Sequence, residues 1–194
     1  MLNSYPQEFL QAKCQSIVKE ILNDKYVYLS INNFILFEQE KTKIECNIAF
    51  SGEWETVSIS GSGDGAIDAL YTAMINVFSD RFISMRRVMF DDFALNVKFK
   101  ESIRKSAAPV EVKLALENAA GKSIYFSSES CSIVKASISV VVSACEYLIN
   151  AERAILELRN LIDDANARSR IDLTAKYRDN MVELVKITSY DEVL

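Results

Sequence analysis

An internal repeat constrains the fold of this sequence more than any other feature. Ile67-Asp68-Ala69 aligns with Val134-Lys135-Ala136 at a shift of 67 residues (136 − 69), and a shift of about that size also carries the first hairpin onto the second. An antiparallel sheet with one polar face needs cover on its apolar face, and two helices at matched positions supply it. We therefore predict an α+β fold with two pseudo-symmetric β-β-β-α repeats, each an antiparallel sheet backed by helices, with added N- and C-terminal helices.

Apolar periodicity places the elements of each repeat. Alternation at two-residue spacing predicts strands over 26–37 (with a bulge or short hairpin at Asn32-Asn33), 43–50, 54–60, 85–99 and 109–116, with a return through Ile124 and Phe126 after a turn at Gly121. Helical spacing predicts helices over 6–24, over 65–79, from Val134 to Ala165 and again after Asp172, while 101–108 is a loop. We divide the chain into an N-terminal helix (1–25), the repeat domain (26–150) and a C-terminal helical extension (151–194).

Three of the five glycines stand in one short loop between a strand and a helix, at Gly61, Gly63 and Gly65. Such a loop exposes backbone N–H groups at the positive end of a helix, where a carboxylate or phosphate binds well. The alternative is a simple turn in which Asp64 caps the helix. No Gly-Lys-Ser/Thr follows, so the loop is not a P-loop, and Ala66 stands where the dinucleotide fingerprint requires glycine.

The 194-residue chain contains no histidine, which removes the usual metal ligand, the usual general base and every Ser-His or Cys-His nucleophile. Its four cysteines, Cys14, Cys46, Cys131 and Cys145, have no metal-binding spacing and each lies near an apolar stripe, which predicts small buried thiols. The net charge of −5, without a basic stripe, argues against nucleic acid. We expect no metal, no cofactor and no membrane partner, and a cytoplasmic location.

Two motifs in order resemble one known family. Gly63-Asp64-Gly65-Ala66-Ile67-Asp68-Ala69 resembles the Gly-x-Gly-Pro-x-Asp-Ala signature of the C-terminal allosteric, or dimerisation, domain of 2-isopropylmalate synthase and its citramalate and homocitrate relatives. Ser130 to Ser137 is similar to that family's Ser-x-Asp-Ile-[Val/Ile]-x-Ala-Ser, Asp92-Phe93 to its Asp-Tyr, and Leu148-Ile149-Asn150 to its closing Ala-Leu-Asn. The resemblance covers about 125 residues, from near Tyr26 to Asn150.

The resemblance implies a homodimer and an effector, such as leucine, isoleucine or a related acid, bound between the repeats at the subunit interface. The site it implies has these residues: Gly63, Asp64, Gly65, Ile67, Asp68, Phe90, Phe93, Ser130, Ser132 and Val134. The alternative for all of them is a core or capping role. Ala66, Ser128 and Ser132 depart from the family pattern, and Ser132 removes a carboxylate that would meet an effector's ammonium group.

The synthases of this family carry a catalytic barrel of several hundred residues, which does not fit before Tyr26. We therefore expect a standalone, non-catalytic regulatory module that modulates a separately encoded synthase of leucine biosynthesis. One alternative is an adaptor that kept the dimerising fold, lost its effector and uses the terminal helices to bind a protein. The other is an enzyme with unusual carboxylate chemistry at Asp64, Asp68 and Asp92.

Overall fold

The computed structural model describes residues 5–51, 53–98, 108–186 and 188. Helix α1 (Tyr5–Leu22) comes first and ends in a 3-10 turn over Asn23–Lys25. The first repeat contains strands β1 (Leu29–Glu38), β2 (Thr42–Phe50) and β3 (Glu53–Gly63), and helix α2 (Ala66–Phe78). After the short helix α3 (Ile83–Arg86), the second repeat contains β4 (Met89–Val97), β5 (Val110–Glu117), β6 (Ser123–Ser130) and helix α4 (Ile133–Ala167), and α5 (Ile171–Val185) follows.

The two repeats have the same topology, as predicted. Each sheet is an antiparallel meander, β1-β2-β3 in the first repeat and β4-β5-β6 in the second. β3 ends at Gly63 and β6 at Ser130, and α2 begins at Ala66 and α4 at Ile133, so both landmarks are 67 residues apart (130 − 63 and 133 − 66). The α+β fold with two β-β-β-α repeats is confirmed.

A bulge interrupts the first strand of each sheet. The register of β1 against β2 shifts at Asn32, which confirms the predicted irregularity, and the register of β4 against β5 shifts at Asp91. A bulge moves the following residues to the other face of the strand. In β4 the shift puts Phe93 opposite Leu114 and Leu95 opposite Val112, on the face that carries the buried residues of β5.

The core lies between the two sheets and their helices. α2 covers β2 and β3, whereas α4 packs against β5, β6, α1 and α2 and also reaches β1 and α3. Ala69 and Ala136, the residues aligned by the repeat, are both fully buried because a small side chain lets each helix lie close to its neighbours. α4 therefore joins the two halves of the molecule.

The segment 85–99 was predicted as one strand, and this is wrong at its start. Residues 83–86 form α3, and the strand begins only at Met89. The buried carboxylate of Glu152 on α4 causes the difference, because it accepts hydrogen bonds from the backbone nitrogens of Ile83 (3.2 Å) and Ser84 (2.9 Å) and so caps the first turn. Of the predicted loop 101–108, residues 101–107 lie outside the described residues.

The predicted helix from Val134 to Ala165 is confirmed as α4, which spans 35 residues and extends well beyond residue 150, the predicted end of the repeat domain. α5 lies against both α4 and α1, and its residues Met181 and Leu184 are buried in that contact. α4 is long and apolar enough to cross a membrane by length and composition, but 67% of its most apolar window is buried inside the fold. We interpret it as the central helix of the core.

The cysteine prediction is correct for three residues and wrong for one. Cys14, Cys46 and Cys145 are buried, and burial raises the pKa of the Cys145 thiol to about 12. Cys131 is exposed because it lies in the turn between β6 and α4 and not on the apolar stripe of the helix.

Candidate functional site

The glycine loop brings β3 unusually close to α2. A Cβ atom on Gly61 would lie 2.7 Å from the Ala73 nitrogen, and one on Gly63 would lie 2.6 Å from the Ala69 nitrogen. Real Cβ atoms do not approach other atoms so closely, so these two positions exclude any side chain. Both glycines have a packing role at the strand–helix contact.

Gly65 differs from the other two glycines. It is the N-cap residue of α2, its backbone is extended (φ −166°), and a Cβ atom there would meet nothing within 4 Å. No side chain caps the helix, so the predicted alternative of an Asp64 cap is wrong. Instead the Asp64 backbone N–H donates to the Asp68 carboxylate (2.9 Å), which follows it by one helical turn.

The other first-repeat candidates divide between the core and the surface. Ile67 is buried, whereas Asp68 is exposed and Asp64 forms a long, exposed ion pair with Lys41 (3.8 Å). Such an exposed pair contributes little to stability, about 0–1 kcal/mol. The two carboxylates beside Gly65 are therefore accessible to solvent.

Phe90 and Phe93 continue an aromatic row that starts inside the protein. The Tyr71 ring contacts Phe90 (centroids 6.1 Å apart), and Phe90 contacts Phe93 (6.3 Å), both with edge-on geometry. The Tyr71 hydroxyl donates to the Val88 carbonyl oxygen (2.8 Å), which anchors the inner end of the row. Phe93, at the outer end, is 48% exposed.

In the second repeat, serines organise the turn before α4. The Ser132 side chain accepts a hydrogen bond from the Lys135 backbone nitrogen (3.4 Å), so Ser132 caps the helix. The Ser130 hydroxyl oxygen accepts one from the Ser132 nitrogen (3.2 Å). Val134 is half-buried in the first turn.

These contacts leave the candidate residues in three sets. Gly63, Asp64, Gly65, Ile67 and Asp68 lie in the glycine loop and the first turn of α2, Phe90 and Phe93 lie on β4, and Ser130, Ser132 and Val134 lie at the end of β6 and the start of α4. Within the described ranges, no hydrogen bond, ion pair or ring contact joins one set to another. A shared effector pocket between them stays a prediction, as does a pocket completed by a second subunit.

Sequence reasoning assigned no role to two polar residues of α4, although Asn150 stands in the closing motif of the resemblance. The Glu146 carboxylate accepts hydrogen bonds from the Tyr26 hydroxyl (3.0 Å) and from the Leu29 backbone nitrogen (2.8 Å). Asn150, one turn later, binds both the N–H and the carbonyl oxygen of Val27. Polar residues four apart within an otherwise apolar stretch of helix were the available signal.

The part of the chain that the structure describes contains no cluster of three or more Cys, Asp or Glu side chains that would hold a metal ion.

The family model of the LeuA allosteric (dimerisation) domain matches residues 8–149. The match begins within α1, includes all six strands, α2 and α3, and ends halfway along α4, so it covers most of the chain. No curated protein matches the sequence. The chain belongs to the LeuA allosteric (dimerisation) domain family, and a domain of this kind has a regulatory and not a catalytic role.

Proposed function

We propose that this protein is a non-catalytic regulatory module that forms a homodimer and binds a small carboxylate effector. One observation carries the proposal: within the described residues, the apolar face of β4 is largely exposed from Phe93 to Val97. Phe93, Leu95 and Val97 are 46–48% exposed, although their β5 partners Leu114, Val112 and Val110 are all buried.

The reason for this exposure is the position of α4. The helix packs over β5 and β6 and so leaves the first strand of the sheet outside its cover. β4 is also an edge strand, with β5 on one side only. A row of exposed apolar residues on an edge strand favours association, and a second copy of the same surface is the simplest partner for a dimerisation domain.

The dimer is tested with a charge on the β4 face. We expect the wild-type chain to elute and scatter light at about twice its mass of 21.9 kDa. Leu95→Glu is expected to give a monomer, because dimerisation would then bury an unpaired carboxylate. Leu156→Glu, which alters a leucine of α4 that is 41% exposed, is the matched control and should stay dimeric. A monomeric wild type, or a dimeric Leu95→Glu variant, contradicts the proposal.

The N-terminus of α2 supports the effector part of the proposal. The first-turn N–H groups have no side-chain cap, and the space beside Gly65 is open. A carboxylate is stabilised at such a terminus by hydrogen bonds and the helix dipole. Asp68, in the same turn, offers an exposed carboxylate to an ammonium group.

Effector binding is tested by thermal unfolding with leucine, isoleucine and their 2-oxo acids at millimolar concentration. A ligand that binds only the folded state raises the unfolding temperature as its concentration exceeds the dissociation constant. Gly65→Ala should remove the shift, because its methyl group occupies the open space at the helix N-terminus. If the unfolding temperature of the wild type does not shift with any of these ligands, effector binding is contradicted, whereas the proposed dimer is tested separately by Leu95→Glu.

A regulatory module acts by coupling its effector to a protein that it contacts. In this proposal the contacted protein is a separately encoded synthase, and the module works in the cytoplasm.

A further inference from the structure

The outer edge of the first sheet is covered at one end only. β1 is an edge strand, because β2 pairs with one side of it. Where the chain enters β1, side chains of α4 take the place of a further strand: Asn150 bonds the N–H and the carbonyl oxygen of Val27, and Glu146 accepts from the Leu29 nitrogen. The outward backbone groups of Val27 and Leu29 therefore point towards α4.

Beyond Leu29 the outward backbone groups of β1 have no partner. In an antiparallel pair, every second residue directs its N–H and C=O away from the neighbouring strand. Leu29 is such a residue, and the register across the bulge continues the series at Ile31, Phe34 and Leu36. Among the described residues, no hydrogen bond from outside the sheet reaches these three positions. We call Ile31 to Leu36 the open edge of β1.

The second sheet shows how this protein covers such an edge. β6 is also an edge strand, and Gln11 of α1 bonds both the N–H and the carbonyl oxygen of Tyr125. Gln11 of α1 and Asn150 of α4 thus make the same pair of contacts on different sheets. An edge that keeps its N–H and C=O groups unpaired is a template for another strand.

A groove of about 630 Å³ separates the open edge of β1 from α4. Ile138 and Val142 form its apolar floor. Lys135, Ser139 and Ser143 are exposed, line the groove and stand four residues apart, so they follow one line along the helix. None of the effector-site candidates lines this groove.

The direction of α4 fixes where the charge of the groove lies. The contacts pair Val27 with Asn150 and Leu29 with Glu146, so α4 runs antiparallel to β1. Lys135 precedes Glu146 by 11 residues (146 − 135), about 16 Å of helix, which is about the length of strand from Leu29 to Phe34. Lys135 therefore lies at the far end of the groove, and it forms no ion pair within the described residues.

We propose that the open edge of β1 binds an extended segment of a partner protein, which joins the first sheet as a fourth strand antiparallel to β1. The backbone of the segment bonds the outward groups of Ile31, Phe34 and Leu36. Every second side chain of the segment is apolar and packs against the floor of the groove. An acidic residue near the start of the segment pairs with Lys135, because an antiparallel strand begins at that end. The inference does not depend on the β4 dimer or on the effector.

The experiment is a titration of the full chain into the peptide acetyl-Glu-Val-Thr-Val-Thr-Val-Thr-amide with a C-terminal fluorophore, followed by anisotropy. We expect a dissociation constant below about 1 mM. The valine N–H groups point to β1, because residues that pair directly across two strands share a face. Methylation of the three valine nitrogens should therefore weaken binding at least about tenfold. Methylation of the threonine nitrogens, which point to solvent, should change it less than about twofold.

Two exposed positions of α4 test the groove without disturbing the core. Ser139→Trp fills the groove and should weaken binding at least about tenfold, whereas Asn160→Trp, at an exposed position of the same helix outside the groove, should not. Lys135→Glu should weaken binding at least about threefold and should prefer a peptide with lysine in place of its glutamate. Lys122→Glu, outside the groove, should bind both peptides like the wild type.

Three results overturn the proposal. The first is that the unmethylated peptide does not bind the wild type at about 1 mM. The second is that methylation of the valine nitrogens, or Ser139→Trp, leaves the affinity unchanged. The third is that Ser139→Trp lowers the mass of the peptide-free protein in light scattering, which would assign the groove to a second copy of this chain. Leu95→Glu tests the dimer separately, so failure of one proposal is distinguishable from failure of the other.

Discussion

Gly61, Gly63 and Gly65 look equivalent in the sequence, but they have different surroundings. Gly61 and Gly63 face the backbone of α2 at distances that exclude a Cβ atom, whereas Gly65 faces open space. None of the three has the left-handed backbone that favours glycine, since among the glycines described a positive φ occurs at Gly121. Close packing therefore explains two of the glycines, and the third borders the open space in which we propose that the effector binds.

This difference predicts that alanine destabilises the protein at Gly63 much more than at Gly65. Gly63→Ala should lower the free energy of unfolding by about 1–3 kcal/mol, because its methyl group forces β3 and α2 apart. Gly65→Ala should change it by less than about 1 kcal/mol, since the methyl group enters free space and only the N-cap preference is affected. Urea denaturation of both variants measures the two values. Equal losses in both would contradict the packing role of Gly63.

At the scale of elements, α4 holds the molecule together through polar contacts as well as apolar ones. The Asn150 side chain accepts from the Val27 nitrogen (2.9 Å) and donates to the Val27 carbonyl oxygen (2.7 Å). A neighbouring β-strand would make the same pair of hydrogen bonds with Val27, which lies two residues before the start of β1. The position matches the asparagine that closes the family motif, and its fixed contacts with Val27 give that residue a structural role.

Asn150→Asp tests this contact, because it replaces the donor amide with an oxygen facing the Val27 carbonyl oxygen. We expect a loss of about 3 kcal/mol or more at pH 7, since a buried carboxylate is left uncompensated. The loss should shrink in acid, where the protonated side chain donates again. Asn160→Asp, on an exposed position of the same helix, is the control for urea denaturation at both pH values. A loss that does not depend on pH would contradict the assigned hydrogen bonds.

For the whole molecule, helix α5 of the C-terminal extension is part of the packed structure. α5 lies against α1 and α4, and the Cys14 thiol of α1 donates to the Glu183 carbonyl oxygen of α5 (3.5 Å). Burial, and secondarily the charge of Glu183, raises the pKa of Cys14 to about 11. The raised pKa keeps this thiol protonated and unreactive in the folded chain.

Deletion of 168–194 should uncover Cys14. In a Cys131→Ser background, which removes the exposed thiol, we expect Ellman's reagent to modify Cys14 rapidly only after the deletion, and the unfolding temperature to fall. Cys145 is fully buried inside the core and should stay protected in both proteins, so it serves as an internal control. A protected Cys14 in the shortened chain would show that α5 does not cover it.

The repeat, the strand order within each half and the two helices that follow the sheets were predictable because they depend on local periodicity. Alternation at Ile44, Cys46 and Ile48 allows one strand face to be buried, and the 67-residue shift requires the same element order twice. The Ser132 cap was also predictable, since capping acts over three residues.

Other features depended on contacts between residues far apart in the chain. α3 forms because Glu152 supplies its cap from 68 residues away, and local periodicity in 83–89 contains no trace of that carboxylate. The separate roles of Gly63 and Gly65 depend on where α2 lies over β3. The exposed apolar face of β4 and the buried Tyr147 hydroxyl, which lacks a hydrogen-bond partner among the described residues, likewise depend on the packing of α4 against β5 and β6. The sequence determined by itself which segments become strands and helices, because each pattern acts within a few residues. Only the tertiary structure decided which apolar and polar groups are left without a partner, because that depends on what every other element covers.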